Sequence, residues 1–164
     1  MCRKLVLVLL AAAALAARAE GRVLLLDNGE TVEYRLVADS KESAKPVAAQ
    51  ILRHLAAGEL EEAALLSNAP RRRFEVLSEY RAQVGDEEFR RIYGEYLKAQ
   101  NRVVAEVAID SRRLIIWDLG EQRIAGQYYV AVDGRFLMDE APRDERDPLR
   151  AILQAYRAGR VGSD

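Results

Sequence analysis

The stretch from Asn101 to Glu140, NRVVAEVAIDSRRLIIWDLGEQRIAGQYYVAVDGRFLMDE, restricts the possible folds more than any other part of the chain. Apolar residues alternate at Val103, Ala105, Val107 and Ile109, the period of a strand with two distinct faces. Asp133-Gly134 is a dipeptide favoured in two-residue hairpins, because both turn positions need positive φ. The stretch is therefore predicted to be an antiparallel meander of three or four strands.

A short turn at Asp110-Ser111 sets the parity. It places Val103, Ala105, Val107 and Ile109 on one face with Leu114 and Ile116, which is expected to be the core under the helices. Val104, Glu106, Ile115 and Trp117 then share the reverse face, as do Tyr129, Ala131 and Phe136 in the final hairpin. A reverse face this apolar needs a cover: another element, a partner subunit or a ligand. A homodimer through Val104, Ile115, Trp117, Tyr129 and Phe136 would supply one. The turn Leu119 to Gln122 admits two or three residues, and one residue more or less moves Tyr128 between faces, so its face stays open.

The rest of the chain supplies wrapping. Arg22 to Val37 carries two apolar runs around Asp27-Asn28-Gly29-Glu30, which predicts a first hairpin, joined to the sheet or laid on a helix. Residues 20–45 are read as this hairpin and a polar linker, and residues 46–159 as one domain. Pro46 suits the first turn of a helix, and Val47, Ile51, His54 and Leu55 draw one apolar stripe up to Gly58. A second helical stretch runs from Glu59 to Leu66. A third carries Phe74, Leu77, Tyr80 and Val84, and a fourth, expected to be capped by Asp86, carries Phe89, Ile92, Tyr93, Tyr96 and Leu97. Pro148 opens a last amphipathic helix with Leu149, Ile152, Leu153 and Tyr156 on one face and Asp147 as the expected cap. Residues 160–164 read as a tail. The fold class is α+β: N-terminal helices on a curved antiparallel sheet, with an N-terminal β-hairpin and a C-terminal amphipathic helix.

Residues 1–19, MCRKLVLVLLAAAALAARA, have a basic start, an apolar run and small residues at Ala17 and Ala19. This pattern predicts a signal peptide and export to a bacterial periplasm or beyond the cell. The apolar run falls short of the roughly 18 residues of a membrane span, and no later stretch approaches that length. Removing nineteen residues from 164 leaves 145, a usual size for one domain. The 25 basic residues fall to 22 without Arg3, Lys4 and Arg18, against 26 acidic ones. The resulting formal charge of −4 disfavours nucleic acid as a partner. The single cysteine, Cys2, would leave with the signal peptide, which excludes disulfides and thiolate chemistry. No phosphate loop, His-x-x-x-His pair, Cys/His cluster or serine elbow is present, so no cofactor or metal is expected.

The segment ILRHLAAGELEEAALL, with its break at Ala56-Ala57-Gly58-Glu59-Leu60 between two helices, precedes a bent meander. This arrangement, over Pro46 to Glu140, resembles the nuclear-transport-factor-two-like superfamily of cystatin-like α+β cones. The resemblance implies a sheet curled round the helices, a ligand or active site in the open end of the cone, and a dimer through the outer face of the sheet. The N-terminal hairpin and the helix after Pro148 lie outside that pattern. No His/Asp pair stands where the family's isomerases and cyclases keep one, so the resemblance carries no catalysis here.

The expected function is that of an exported, non-catalytic domain that binds a small apolar ligand or an envelope protein. Tyr80, Tyr93, Tyr96, Trp117 and Tyr128 are the candidate cavity lining, weighed against ordinary core packing. The alternative is an isomerase- or lyase-like enzyme with His54 or Glu106 as a base in the cone. His54 has no acidic partner identifiable in the sequence, and its plain reading is a ring at the edge of the core. Glu106 and Asp118 fall within strands on opposite faces, and their plain reading is exposed sheet. Arg71-Arg72-Arg73 near a helix start, an unfavourable place for cations, suggests contact with an anionic surface, against a solvated helix face.

Overall fold

The computed structural model describes residues 21–161. The expected signal peptide at 1–19 and the last residues of the tail lie outside them. Six strands form one antiparallel sheet in sequence order: β1 (Gly21–Leu25), β2 (Thr31–Leu36), β3 (Arg102–Ile109), β4 (Arg112–Asp118), β5 (Ile124–Val132) and β6 (Arg135–Met138). The α+β class and the meander are as the sequence predicts. The N-terminal hairpin joins the sheet, pairing Arg35 with Ala108 and Leu36 with Val107.

Turn chemistry sets the register. Asp133 and Gly134 take φ of 49° and 76°, the double positive φ that a two-residue hairpin demands. In the first hairpin the Asn-Gly pair does not form a two-residue turn. The Leu26 N–H bonds the Glu30 carbonyl at 2.8 Å across a three-residue loop in which Gly29 alone is left-handed. Between β4 and β5 the loop is Gly120–Gln122, closed by the Leu119 N–H on the Arg123 carbonyl at 2.9 Å. Three residues is the longer of the two expected lengths, and it pairs Tyr128 with Leu114.

Helices cover both faces of the sheet. On one face lie α1 (Lys45–Ala57), α2 (Leu60–Leu65), α3 (Pro70–Val84) and α4 (Asp86–Glu95). Their Ile51, Leu52, Leu55, Leu77 and Phe89 pack with Ile115, Trp117 and Tyr129 of the sheet. On the other face a single helix, α5 (Asp147–Arg157), sets Leu149, Ile152 and Leu153 against Val107, Leu114 and Ile116, joined by Leu24 and Tyr34 of the first hairpin. The expected assignment of faces is thus reversed. The residues expected under the N-terminal helices lie under α5, and those expected to form an open back lie under α1–α4. Alternation tells which side chains share a face, but not which helix lands on it. Val103 also changes sides. A bulge between Val103 and Ala105 puts it opposite Trp117 and in the four-helix core, while Val104 joins the α5 side.

Three local devices make this packing possible. A Cβ on Gly126, in the middle of β5, would stand 2.6 Å from a Leu153 methyl, so the missing side chain lets α5 lie flat on the strand. The edge of β6 is covered where the Met138 N–H bonds the Leu66 carbonyl at 2.8 Å and the Asn68 N–H bonds the Met138 carbonyl at 3.0 Å. Gly58, at φ 82°, closes α1 and turns the chain sharply into α2. Two expected caps do other work. Asp86 forms a two-pronged pair with Arg81 of α3 at 2.5 and 2.7 Å, and Asp147 pairs with Arg150 at 2.6 Å. Among the described residues no helix is long and apolar enough to cross a membrane.

Candidate functional site

The two candidate bases are held in separate networks. Glu106 is 2 % exposed, so it is not the solvated sheet residue of its plain reading. Its carboxylate accepts the Ser43 hydroxyl at 2.5 Å and the Ala44 N–H at 2.7 Å. Those donors lie at the entry to α1, whose own N-cap residue has no side chain able to cap it, so a strand carboxylate does the work at the positive end of the helix. Arg113, buried beside it, donates to the carbonyls of Asp110 and Arg112 and stacks 5.0 Å over the Phe136 ring. Burial, with Arg35 nearby, lowers the pKa of its guanidinium from the ordinary value.

His54 does have an acidic partner. Its Nδ1 lies 2.6 Å from a Glu59 carboxylate oxygen, because Gly58 folds residue 59 back over the last turn of α1. The pair is partly exposed at the helix end. Asp118 accepts the Gly120 N–H at 2.9 Å and so shapes the β4–β5 loop.

The candidate cavity lining is largely core. Phe89 sits between Tyr80 and Tyr93, with centroids 6.0 and 4.8 Å away, and Tyr96 meets Trp117 edge-on at 5.4 Å. Gln127 accepts both the Trp117 indole N–H at 3.0 Å and the Tyr129 hydroxyl at 3.1 Å. Burial raises the phenol pKa of Tyr93, Tyr96 and Tyr129. Four of the five expected lining residues therefore fill the space between helices and sheet. Tyr128 alone is elsewhere, on the α5 side under the Arg146 guanidinium at 5.3 Å.

The expected interface set is corrected in the same way. Ile115, Trp117 and Tyr129 are buried under α1–α4, Val104 belongs to the opposite face, and Phe136 lies half-buried beneath Arg113. These five residues present no common surface. The Arg71–Arg73 run also divides, with Arg71 pairing Glu75 at 3.1 Å and Arg73 pairing Glu140 at 3.3 Å.

What the fold does leave open is a groove of about 560 Å³ between α2 and α3. Leu60, Phe74, Ser78 and Ala82 form its floor, and Glu59, Glu61, Glu62 and Asp86 its rim. A second recess of about 270 Å³ shares Glu61 and Phe74 and runs on past Ala64, Leu65 and Pro70. Phe74 is 37 % exposed and Leu65 68 %, because α2 has only six residues and cannot cover the outer side of the fifteen-residue α3. The rim is acidic on balance. Arg81 is neutralised by Asp86, whose pKa that hydrogen bond lowers, and no cation pairs with Glu61 or Glu62 among the described residues.

A smaller cavity of about 180 Å³ opens at the outer edge of β5, lined by Arg73, Gln127, Tyr128, Asp139 and Arg146 among others. Sequence reasoning placed Phe74 on a helix but had no signal for its exposure, and it passed over Gln127, Asp139 and Arg146. Among the described residues no group of three or more His, Cys, Asp or Glu is placed to hold a metal. Compared with protein-family models, with curated proteins and with solved structures, the chain matches none.

Proposed function

We propose that this protein is a non-catalytic interaction domain, exported if residues 1–19 act as their pattern predicts, which receives an apolar, basic segment of a partner protein in the α2–α3 groove. The observation that carries the reading is the groove with its adjoining recess, where Phe74 and Leu65 are exposed beside the carboxylates of Glu61 and Glu62, which no cation pairs among the described residues. Apolar burial supplies affinity, and the acidic rim selects a basic partner and speeds encounter. The filled interior supports a partner on the surface over a small apolar ligand in a cone. His54, engaged by Glu59, and Glu106, engaged by Ser43 and Ala44, give an isomerase-like reading no specific support.

Amide chemical-shift mapping with a short amphipathic Leu/Lys peptide and its Leu/Glu counterpart tests this. The basic peptide is expected to shift amides in Leu60–Leu65 and Phe74–Ala82, less so at high salt and hardly at all with Phe74→Glu. Equal shifts with the acidic peptide, or shifts scattered over the surface, would refute it.

A further inference from the structure

The cavity at the outer edge of β5 lies away from the α2–α3 groove, and its polar groups are unevenly engaged. Its acceptors are taken. Asp139 receives Arg112 Nε at 3.0 Å on one carboxylate oxygen and the Ala141 N–H at 2.9 Å on the other. The Asp139 carbonyl receives Arg146 Nη1 at 3.2 Å, and the Tyr128 carbonyl receives the Asp139 N–H at 2.9 Å. Glu140 is matched by Arg73 at 3.3 Å.

Two of its side-chain donors, the Gln127 amide and the Arg146 Nε–H, are not taken. The Gln127 side-chain oxygen accepts two hydrogen bonds, from Trp117 and Tyr129, which fixes the orientation of the amide and leaves its NH2 without an acceptor among the described residues. The Arg146 Nε–H is buried and has no hydrogen-bond partner. The Ile124 and Tyr128 carbonyls both point off this edge of the sheet, to Arg157 at 2.8 Å and to the Asp139 N–H, and strand alternation turns the Gly126 N–H the same way. A buried donor left unmatched costs free energy, so the Arg146 Nε–H calls for an acceptor, and the Gln127 NH2, which water can reach, is free to share it.

Charge points to the same kind of occupant. Arg73 is balanced by Glu140, and Asp139 by Arg112, whereas Arg146 has no carboxylate within ion-pair range among the described residues. Burial raises the Tyr128 phenol pKa, and the charges of Arg150, Arg146 and Arg157 pull against that rise, so the local field is positive. At about 180 Å³ the space is below the roughly 300–1,000 Å³ that encloses a drug-sized molecule.

We infer that the β5-edge cavity, bounded by Gln127, Gly126 and Arg146, binds a small oxyanion, with a carboxylate or phosphate group accepting hydrogen bonds from the Gln127 amide and Arg146. The ligand's oxygens would complete both donors, and the planar guanidinium, held over Tyr128, is already oriented for a two-pronged contact. Binding would be sensed at Trp117, which shares the Gln127 amide.

The test titrates the protein with sodium phosphate, sodium acetate and sodium malonate against sodium chloride at matched ionic strength, following thermal unfolding and Trp117 fluorescence. At a hundredfold excess over Kd, Tm should rise by about 5–10 °C. Phosphate alone acting assigns a phosphoryl ligand, and acetate or malonate alone a carboxylate; either supports the inference. Gln127→Glu keeps the acceptor for Trp117 and Tyr129 but replaces the donor with a negative oxygen, so it should fold and lose the anion effect entirely. Arg146→Lys should weaken it about tenfold or more. If no anion exceeds chloride, or if Gln127→Glu responds like the parent protein, the cavity holds only water and the inference is overturned.

Discussion

The two faces of the sheet are built on different plans. The four-helix face packs side chains from α1, α3 and α4 around Phe89, Ile115 and Tyr129, and takes polar groups inside as matched sets, Glu106 with Ser43 and Ala44, and Gln127 with Trp117 and Tyr129. The α5 face rests on one eleven-residue helix, set down on a strand that keeps a glycine in its path. The first face is redundant in its packing. The second depends on a single docking event. An apolar sheet face therefore need not signal a partner: here each is covered from within the chain, by unequal means.

The largest break should come on the four-helix face. Phe89→Ala empties the centre of an aromatic cluster and is expected to lower stability by about 3–5 kcal/mol, read from urea unfolding; a loss below about 1 kcal/mol would show that the cluster is loosely packed. On the other face, Gly126→Val drives methyls into Leu153 and Leu114 and should cost about 1–3 kcal/mol. Its sharper signature is spatial. Hydrogen exchange should quicken in α5 while α1 and α4 keep their protection, and uniform quickening would mean that the faces are one cooperative unit.

Removing the cap on α1 probes the polar side of the same contrast. Glu106→Ala strands two buried donors and should cost about 1–3 kcal/mol, with the exchange of Ala44 and the first turn of α1 most affected. Alkali gives a graded version. Tyr93, Tyr96, Tyr128 and Tyr129 all have pKa values raised by burial above the ordinary 10.0, so the folded protein keeps protons that the unfolded chain releases. Stability should be whole below about pH 10 and fall progressively above it. Three of the four rings lie under α1–α4, so tyrosinate absorbance should appear together with loss of that face. The smallest effect belongs to the groove, where Phe74→Glu should change stability by no more than about 0.5 kcal/mol, because the ring is already partly in water.

Much of the fold was legible because local rules wrote it. Asp133-Gly134 named its own turn, Pro46 and Gly58 bracketed α1, and the switch from a helical to a strand period placed the start of β3 within a residue or two. The site was far less legible. His54 seemed to have no partner because the pairing with Glu59 exists only once Gly58 takes its left-handed φ. Glu106 read as a wet sheet residue because its donors, Ser43 and Ala44, are more than sixty positions away in the chain. Val103 was grouped with the wrong strand neighbours because one bulge separates it from Ala105 and Val107. The aromatic residues were correctly grouped as apolar, yet nothing in their spacing said whether they would enclose a space or fill it.

The sequence by itself determined the α+β class, the meander, the order of the elements, and the presence of two apolar sheet faces and an amphipathic last helix. These follow from propensity and period, which act over a few neighbouring residues. Only the tertiary structure decided that α5 closes the second face, that Glu106 caps a distant helix, that Phe74 stays in water, and that Gln127 and Arg146 meet at the edge of β5. Those outcomes depend on which surfaces meet and on what each contact leaves uncovered or unmatched, which no local period encodes.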